Sequence, residues 1–252
     1  MYACSSCRAP IRPGACPSCG ALLAVGIALA SPAHATEVEA IYGAPRSAVQ
    51  FSPDRPGVGD STGTPGKGHV MIEGGVALVP SPLAFGTSGI VGRIGVDDGL
   101  ELRLRAPDVT VADDVGLGTV GLGAKVAASV GPRWSVSAVP ELVYDPSSGA
   151  LGGGVGANVA LGLGRVGFWG HGSVSVLQDA DPSVLFGGGA SVAFDGGGLY
   201  VNGGSDVAGS GFVGGGGWWS LSKSAQLDAG CDAWMAGGEV TPVFLLGTSL
   251  GF

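Results

Sequence analysis

The last residues of the chain, 239–252, largely alternate between large apolar and small or polar side chains and end on a phenylalanine. Counting back by twos, one face carries Phe252, Leu250, Thr248, Leu246, Phe244 and Val240, and the other carries Gly251, Ser249, Gly247 and Thr241. Leu245 and Val243 break the alternation. Because successive side chains of a strand point to opposite faces, this pattern predicts a β-strand with one apolar face.

Composition restricts how such a strand can be used. The chain of 252 residues has 50 glycines, 13% charged residues and a mean hydropathy of +0.41. No uninterrupted apolar run reaches the ~18 residues that a membrane-spanning helix needs. A membrane protein of this composition must therefore cross with strands, and only a closed barrel pairs all of its backbone groups in lipid.

A final strand that ends on an aromatic residue is typical of bacterial outer-membrane barrels, where that residue serves as an assembly signal. The expected partners are therefore outer-membrane lipid and, through Phe252, the barrel assembly machinery. Nucleic acid is an unlikely partner, because the net charge is −8 and the chain has only 12 Lys and Arg residues.

Twelve alternating segments can be placed from residue 69 to the end of the chain. They are 69–79, 88–96, 100–107, 116–129, 133–144, 149–163, 165–177, 183–194, 198–206, 210–222, 224–236 and 240–252. Tight connections alternate with generally longer ones such as 80–87 and 108–115, as expected when both termini are periplasmic. The sequence therefore predicts an all-β, transmembrane outer-membrane antiparallel β-barrel of about 12 strands, spanning 69–252, in a Gram-negative bacterium.

Charged side chains within the strands are expected to face the lumen, because a charge on the lipid face costs ~2 to 4 kcal/mol near the midplane. The predicted lumen-lining residues are Glu73, Glu101, Arg103, Arg105, Lys125, Glu141, Arg165, His171, Asp228 and Asp232. They could simply brace or solvate the interior, or they could form a solute-selective constriction. Inward glycines such as Gly152, Gly154 and Gly156 predict a narrow lumen and strands that curve easily.

The N-terminus carries two conflicting signals. The apolar run 21–30 and the site Ala33-His34-Ala35 predict a signal peptide over residues 1–35, followed by a periplasmic pre-barrel segment over 36–68. The CxxC pairs of a zinc-ribbon-like array lie within that signal: Cys4, Cys7, Cys16 and Cys19. The array is either a real zinc knuckle or part of a vestigial or mis-started N-terminus. No other cofactor is expected.

Motifs of enzymes are not persuasive in this chain. The GxGxxG matches at 116–121 and 162–167 open no plausible helix, so a dinucleotide site is rejected. Barrel phospholipases need a Ser and a His on the outer wall, but neither His69 nor His171 has a suitable serine and carboxylate beside it. We therefore expect no enzyme activity, with a lipid-modifying enzyme as a weaker possibility.

A motif precedes the first strand and runs into it. It comprises Asp54-Arg55-Pro56, Ser61, Pro65-x-Lys67-Gly68-His69 and Glu73-x-Gly75, with further matches at Leu100-Glu101-Leu102-Arg103 and 224–228. This resembles the entry motif of the MetA-pathway-of-phenol-degradation family of outer-membrane channel-like proteins. The resemblance implies a barrel that helps to move small, often hydrophobic molecules, and it implies no catalytic residues.

Prolines and glycines prevent residues 51–68 from forming a regular strand. We expect this segment to enter the periplasmic mouth and narrow it. The predicted function is a channel or transporter for the passive movement of small, possibly hydrophobic, solutes. The alternative is a structural or adhesive surface barrel without a continuous pore.

Overall fold

The computed structural model describes residues 2–3, 10–11, 54, 59–178 and 180–252. These residues form strands, turns and loops, and no helix among them is long and apolar enough to span a membrane. Tyr2–Ala3 and Pro10–Ile11 pair with each other as two very short antiparallel strands. The cysteine array, almost all of the predicted signal peptide, and Arg55 and Pro56 of the motif lie outside the described residues.

The main sheet is a closed ring. It contains fourteen strands, of which two form a short loop hairpin and twelve form the ring. The ring strands are β1 (Val70–Pro80), β2 (Leu83–Asp97), β3 (Leu100–Arg105), β4 (Val120–Val130), β5 (Trp134–Tyr144), β6 (Leu151–Leu163), β7 (Val166–Leu177), β8 (Ser183–Phe194), β9 (Gly197–Asp206), β10 (Gly211–Ser222), β11 (Ala225–Ala236) and β12 (Glu239–Gly251). Each pairs antiparallel with the next, and β12 pairs with β1 from Phe244↔Leu78 to Gly251↔Met71. The prediction of an all-β antiparallel barrel of about 12 strands is confirmed.

The two ends of the barrel differ in their connections. At the end where β1 begins and β12 finishes, here called the terminus end, every turn has two or three residues. At the opposite end, the loop end, the connections range from two residues to the fourteen between β3 and β4. This is the asymmetry of outer-membrane barrels, in which the short turns are periplasmic.

Two loop predictions were wrong in detail. Residues 80–87 are not a long loop, because β1 and β2 continue until only Ser81 and Pro82 separate them. The predicted loop 108–115 contains most of a hairpin, Val109–Val111 paired with Val115–Leu117. Both differences have the same physical reason. Because β3 ends at Arg105, the loop-end part of β2 has no partner in β3. It pairs instead with the hairpin, at Phe85↔Val111.

The two faces of the wall have opposite chemistry. Large apolar side chains are exposed on the outer face, as with Leu102, Leu104 and Leu122 on the neighbouring strands β3 and β4. The charged side chains of Glu101 and Lys125, on the same two strands, are fully buried on the inner face. The free cysteine Cys231 also lies exposed on the outer face. Lipid is the environment in which this distribution is stable.

Glycines and aromatic rings fill the side of the lumen built by β7–β11. Trp169 lies opposite Gly189 on the next strand, and Trp218 lies opposite Gly198. In both pairs a Cβ on the glycine would overlap the indole ring. The ring therefore lies flat against the wall where the neighbouring residue has no side chain, which covers the glycine and fills the lumen.

Leu245 and Val243, which break the alternation of the last strand, point into the barrel. Val243 is buried with Ala77 and Val79 of β1, and Leu245 packs against this group. The inner face of β12 thus changes from small and polar at the terminus end to apolar at the loop end, which explains the exception in the sequence pattern.

Candidate functional site

Residues that precede β1 lie inside the barrel. We call Asp54 together with residues 59–68 the luminal segment. The Thr62 Oγ1 atom is 2.5 Å from Ser135 Oγ, and the hydroxyl of Ser137 donates to the carbonyl of Ser61 at 3.1 Å. The Thr64 hydroxyl donates to the carbonyl of Asp98 at 2.8 Å. The segment is therefore fastened to β5 and to the turn between β2 and β3.

Asp54 connects the luminal segment to the barrel wall. Lys125 Nζ donates to Asp54 Oδ1 at 2.6 Å, and the amide N–H of Ser61 donates to the same oxygen at 2.8 Å. The amide N–H of Asp54 donates to Glu73 Oε2 at 2.7 Å. Burial would raise the pKa of the Asp54 carboxyl, but the charges of Arg93, Lys125 and Arg103 outweigh burial and hold that pKa well below its usual range.

Arg93 on β2 joins the barrel wall to the luminal segment. Its Nε and Nη2 atoms donate to the two carboxylate oxygens of Glu101 at 2.9 and 2.8 Å. Its Nη1 atom donates to Glu73 Oε1 at 2.6 Å, and Nη2 also donates to the carbonyl of Gly63 at 3.1 Å. The side chain is fully buried. Such a bidentate, multiply bonded guanidinium fixes its partners in position as well as neutralising them.

A cavity of about 110 Å³ lies beside the luminal segment. On one side Arg105 Nε and Nη2 donate to the Glu141 carboxylate at 2.9 and 2.8 Å, with both side chains partly exposed. The other side is lined by the inner face of β7, namely His171, Ser173 and Ser175. A small solute in this cavity would meet charged groups on one wall and hydroxyls on the other.

The luminal segment also reaches both walls of this cavity. Arg103 Nη2 donates to Asp60 Oδ1 at 2.6 Å, and the amide N–H of Asp60 donates to Asn158 Oδ1 at 3.2 Å. Asn158 Oδ1 lies 2.7 Å from His171 Nδ1, and Gly59 packs so closely on the His171 ring that a Cβ there would overlap it. Displacing the segment would therefore open a path between β3 and β7.

Four of the ten predicted lumen-lining residues, Glu73, Glu101, Arg103 and Lys125, form one ion-pair network with the luminal segment. Arg105 and Glu141 pair with each other, and with His171 they line the adjoining cavity. Asp228 and Asp232 are buried on β11. Of the motif, Asp54 and Ser61 belong to the network, Pro65 is buried, and Gly68 donates its amide N–H to the Gly95 carbonyl at 2.8 Å.

The prediction for Arg165 is corrected. Its side chain is 70% exposed and pairs at 3.2 Å with Asp195, whose side chain is 98% exposed. Parity with His171 placed it in the lumen, but β7 begins at Val166 and Arg165 belongs to the preceding turn, where strand alternation does not apply. Arg93 is not among the predicted lumen-lining residues. Its neighbours Ile94 and Val96 face outward, so strand alternation indicates that residue 93 faces the lumen.

Known proteins resemble this chain in fold but not in sequence. No protein-family model matches the chain, and no curated protein sequence matches it. Among solved structures, the KdgM porin in complex with disordered oligogalacturonate is similar with a TM-score of 0.57 and 9% identity, over 72% of this chain and 99% of that one. An outer membrane channel from Pseudomonas putida F1 gives 0.56 and 12%, over 79% and 100%. The NanC porin gives 0.53 and 9%, over 72% and 98%. The fold is thus that of outer-membrane barrels of Gram-negative bacteria, as the sequence predicts.

Proposed function

We propose that the chain is a passive outer-membrane channel for small solutes, in which the luminal segment sets the width of the path. The observation that carries this proposal is the docking of a non-strand segment inside a closed barrel, next to a cavity of about 110 Å³. The cavity leaves room for a small molecule beside the docked segment.

The lining of the cavity favours solutes that have both a polar and an apolar part. Arg105 and Glu141 are paired but partly exposed, so a polar group could exchange hydrogen bonds with them. Val91 and Val139 line the same cavity and offer apolar contact. The resemblance to channel-like proteins that move hydrophobic molecules agrees with the second property. We propose membership of that family on the motif, whose Asp54 and Ser61 both take part in docking.

Deleting residues 51–66 and recording currents in planar bilayers tests the proposal. We expect conductance to rise several-fold, because the deletion removes Asp54 and the chain that crosses the lumen. The matched control replaces 51–66 by a Gly/Ser sequence of equal length, which keeps the chain but loses the contacts of Asp54 and Ser61. A conductance that stays at the wild-type value in both variants would contradict the role of the segment.

The alternative, a structural or adhesive barrel without a continuous pore, has one observation in its favour. The aromatic rings of β7–β10 occupy the lumen opposite the luminal segment. Flux of small solutes into proteoliposomes separates the two functions. A heat-modifiable, folded protein that passes none of a graded set of small solutes, even without residues 51–66, would favour the structural role.

A further inference from the structure

The later strands of the barrel carry acidic side chains toward the lumen and, among the described strand residues, no Lys or Arg. From Val166 to the end of the sequence there is a single Lys or Arg, Lys223, and it lies in the turn between β10 and β11. On the inner face of β11, however, Asp228 is 1% exposed and Asp232 is 3% exposed. Burying a carboxylate such as that of Asp232 is unfavourable unless the carboxylate gains a donor or a cation.

Two buried acceptors on this side have no donor among the residues that the structure describes. Asp232 Oδ1 and Asn202 Oδ1 are both inaccessible to solvent and accept no hydrogen bond from any residue that the structure describes. A buried acceptor that has given up its water without gaining a donor is unfavourable. Both side chains would therefore gain from a ligand that brings N–H or O–H groups.

The two acceptors flank one glycine. Asn202 on β9 pairs with Gly214 on β10, and Gly214 pairs with Asp232 on β11. The Asp232 carboxylate lies over Gly214, in the space that a Cβ would fill. The absence of a side chain at residue 214 thus lets the carboxylate extend across β10 toward Asn202.

Aromatic rings lie on both sides of Asp232 and Asn202 along the barrel axis. Phe212 and Trp234, the next inward pair toward the loop end, stack with their ring centroids 4.8 Å apart. Toward the terminus end, the hydroxyl oxygen of Tyr200 lies over Gly216 and Gly230. A carboxylate set among aromatic faces is an environment that suits an organic cation, which gains both a charged hydrogen bond and ring contact.

We propose that Asp232 and Asn202 recognise the ammonium group of a small primary amine whose hydrocarbon part contacts Phe212 and Trp234. This rests on the proposed function, because a solute must enter the lumen to reach the site. The Asp232 carboxylate supplies the charge, and the amide oxygen of Asn202 accepts a second N–H. The site selects amines over neutral or anionic solutes of the same shape.

Equilibrium binding to the folded, full-length protein in detergent tests the proposal without any need for flux. The probe is phenethylamine at pH 7, titrated while tryptophan fluorescence is recorded, and phenethyl alcohol is the neutral control. We expect the amine to bind at least about tenfold more tightly than the alcohol, since hydrogen bonds to charged groups are stronger. Asp232→Asn should abolish most of this preference, and Asn202→Ala should reduce it.

Asp195→Asn is the matched control, because it removes an equally charged but fully exposed carboxylate from a turn. It should bind the amine as the wild type does. Equal affinity of the wild-type protein for amine and alcohol would overturn the proposal even if no variant folds, and so would a folded Asp232→Asn protein that retains the preference. Amine binding without solute flux would instead count against the channel and leave this site standing.

Discussion

The two sides of the lumen are filled in different ways. The side formed by β1–β5 is filled by ion pairs, some of which need Asp54 of the luminal segment, which is not part of the strands. The side formed by β7–β11 is lined by its own wall, where rings such as Trp218 cover glycines of a neighbouring strand. One side can therefore be emptied without breaking the wall, whereas the other cannot.

The largest effect is expected from Arg93→Met. The change leaves Glu73 and Glu101 buried without their main partner, and breaking a buried pair in this way costs about 3–5 kcal/mol. We expect the temperature at which the folded band is lost on a denaturing gel to fall markedly. Unfolding in urea from lipid vesicles would give the free energy. A variant as stable as the wild type would show that the network contributes little to the wall.

On the side lined by glycines and aromatic rings, we expect Gly198→Ala to lower the free energy of unfolding by a smaller amount. A Cβ at residue 198 would overlap the Trp218 ring, and overpacking of this kind costs about 1–3 kcal/mol. Gly92→Ala is the matched control, since the closest atom to its Cβ would be a carbonyl oxygen 3.9 Å away.

The double variant of Gly198→Ala with Trp218→Leu tests the cause. If the ring is what the methyl group meets, the two changes should be less than additive when unfolding free energies are compared in a double-mutant cycle. Strict additivity would point instead to the Val192 carbonyl oxygen, which lies 2.6 Å from the same Cβ position.

Asp54→Asn should loosen the luminal segment while leaving the wall intact. We expect more frequent current fluctuations in planar bilayers and a conductance between those of the wild type and the 51–66 deletion. Because the folded-state pKa of Asp54 is depressed, its contribution to docking is present above the ordinary carboxyl pKa and is lost only as the pH falls through the depressed value. The wild type should therefore keep its low conductance at pH 4, where an undocked carboxyl would be partly protonated.

Arg165→Met should have the smallest effect of these changes. The ion pair with Asp195 is exposed to solvent, and such pairs contribute little to stability. Neither the urea midpoint nor the bilayer conductance should change. A clear shift in conductance would mean that the turn at the terminus end takes part in the path.

Much of the wall could be predicted because strand alternation is local. The positions of Glu101 and Lys125 follow from their apolar neighbours, and the placement of twelve strands follows from the turns between them. Contacts between distant segments could not be predicted in the same way. Nothing near Arg93 in the sequence indicates that it meets Asp54 and Glu73, and the hairpin beside β2 depends on where β3 happens to end.

The barrel closes where β12 pairs with β1, and this pairing determines the order in which the barrel can form. Val70 and Phe252 exchange two backbone hydrogen bonds, of 3.1 and 2.8 Å, so the first strand of the barrel is held by the final residue of the chain. One edge of β1 therefore stays unpaired until β12, the last ring strand in chain order, has joined it. An exposed edge invites association with other chains. The barrel therefore keeps an open edge, which could pair with another chain, for as long as β12 is not in place.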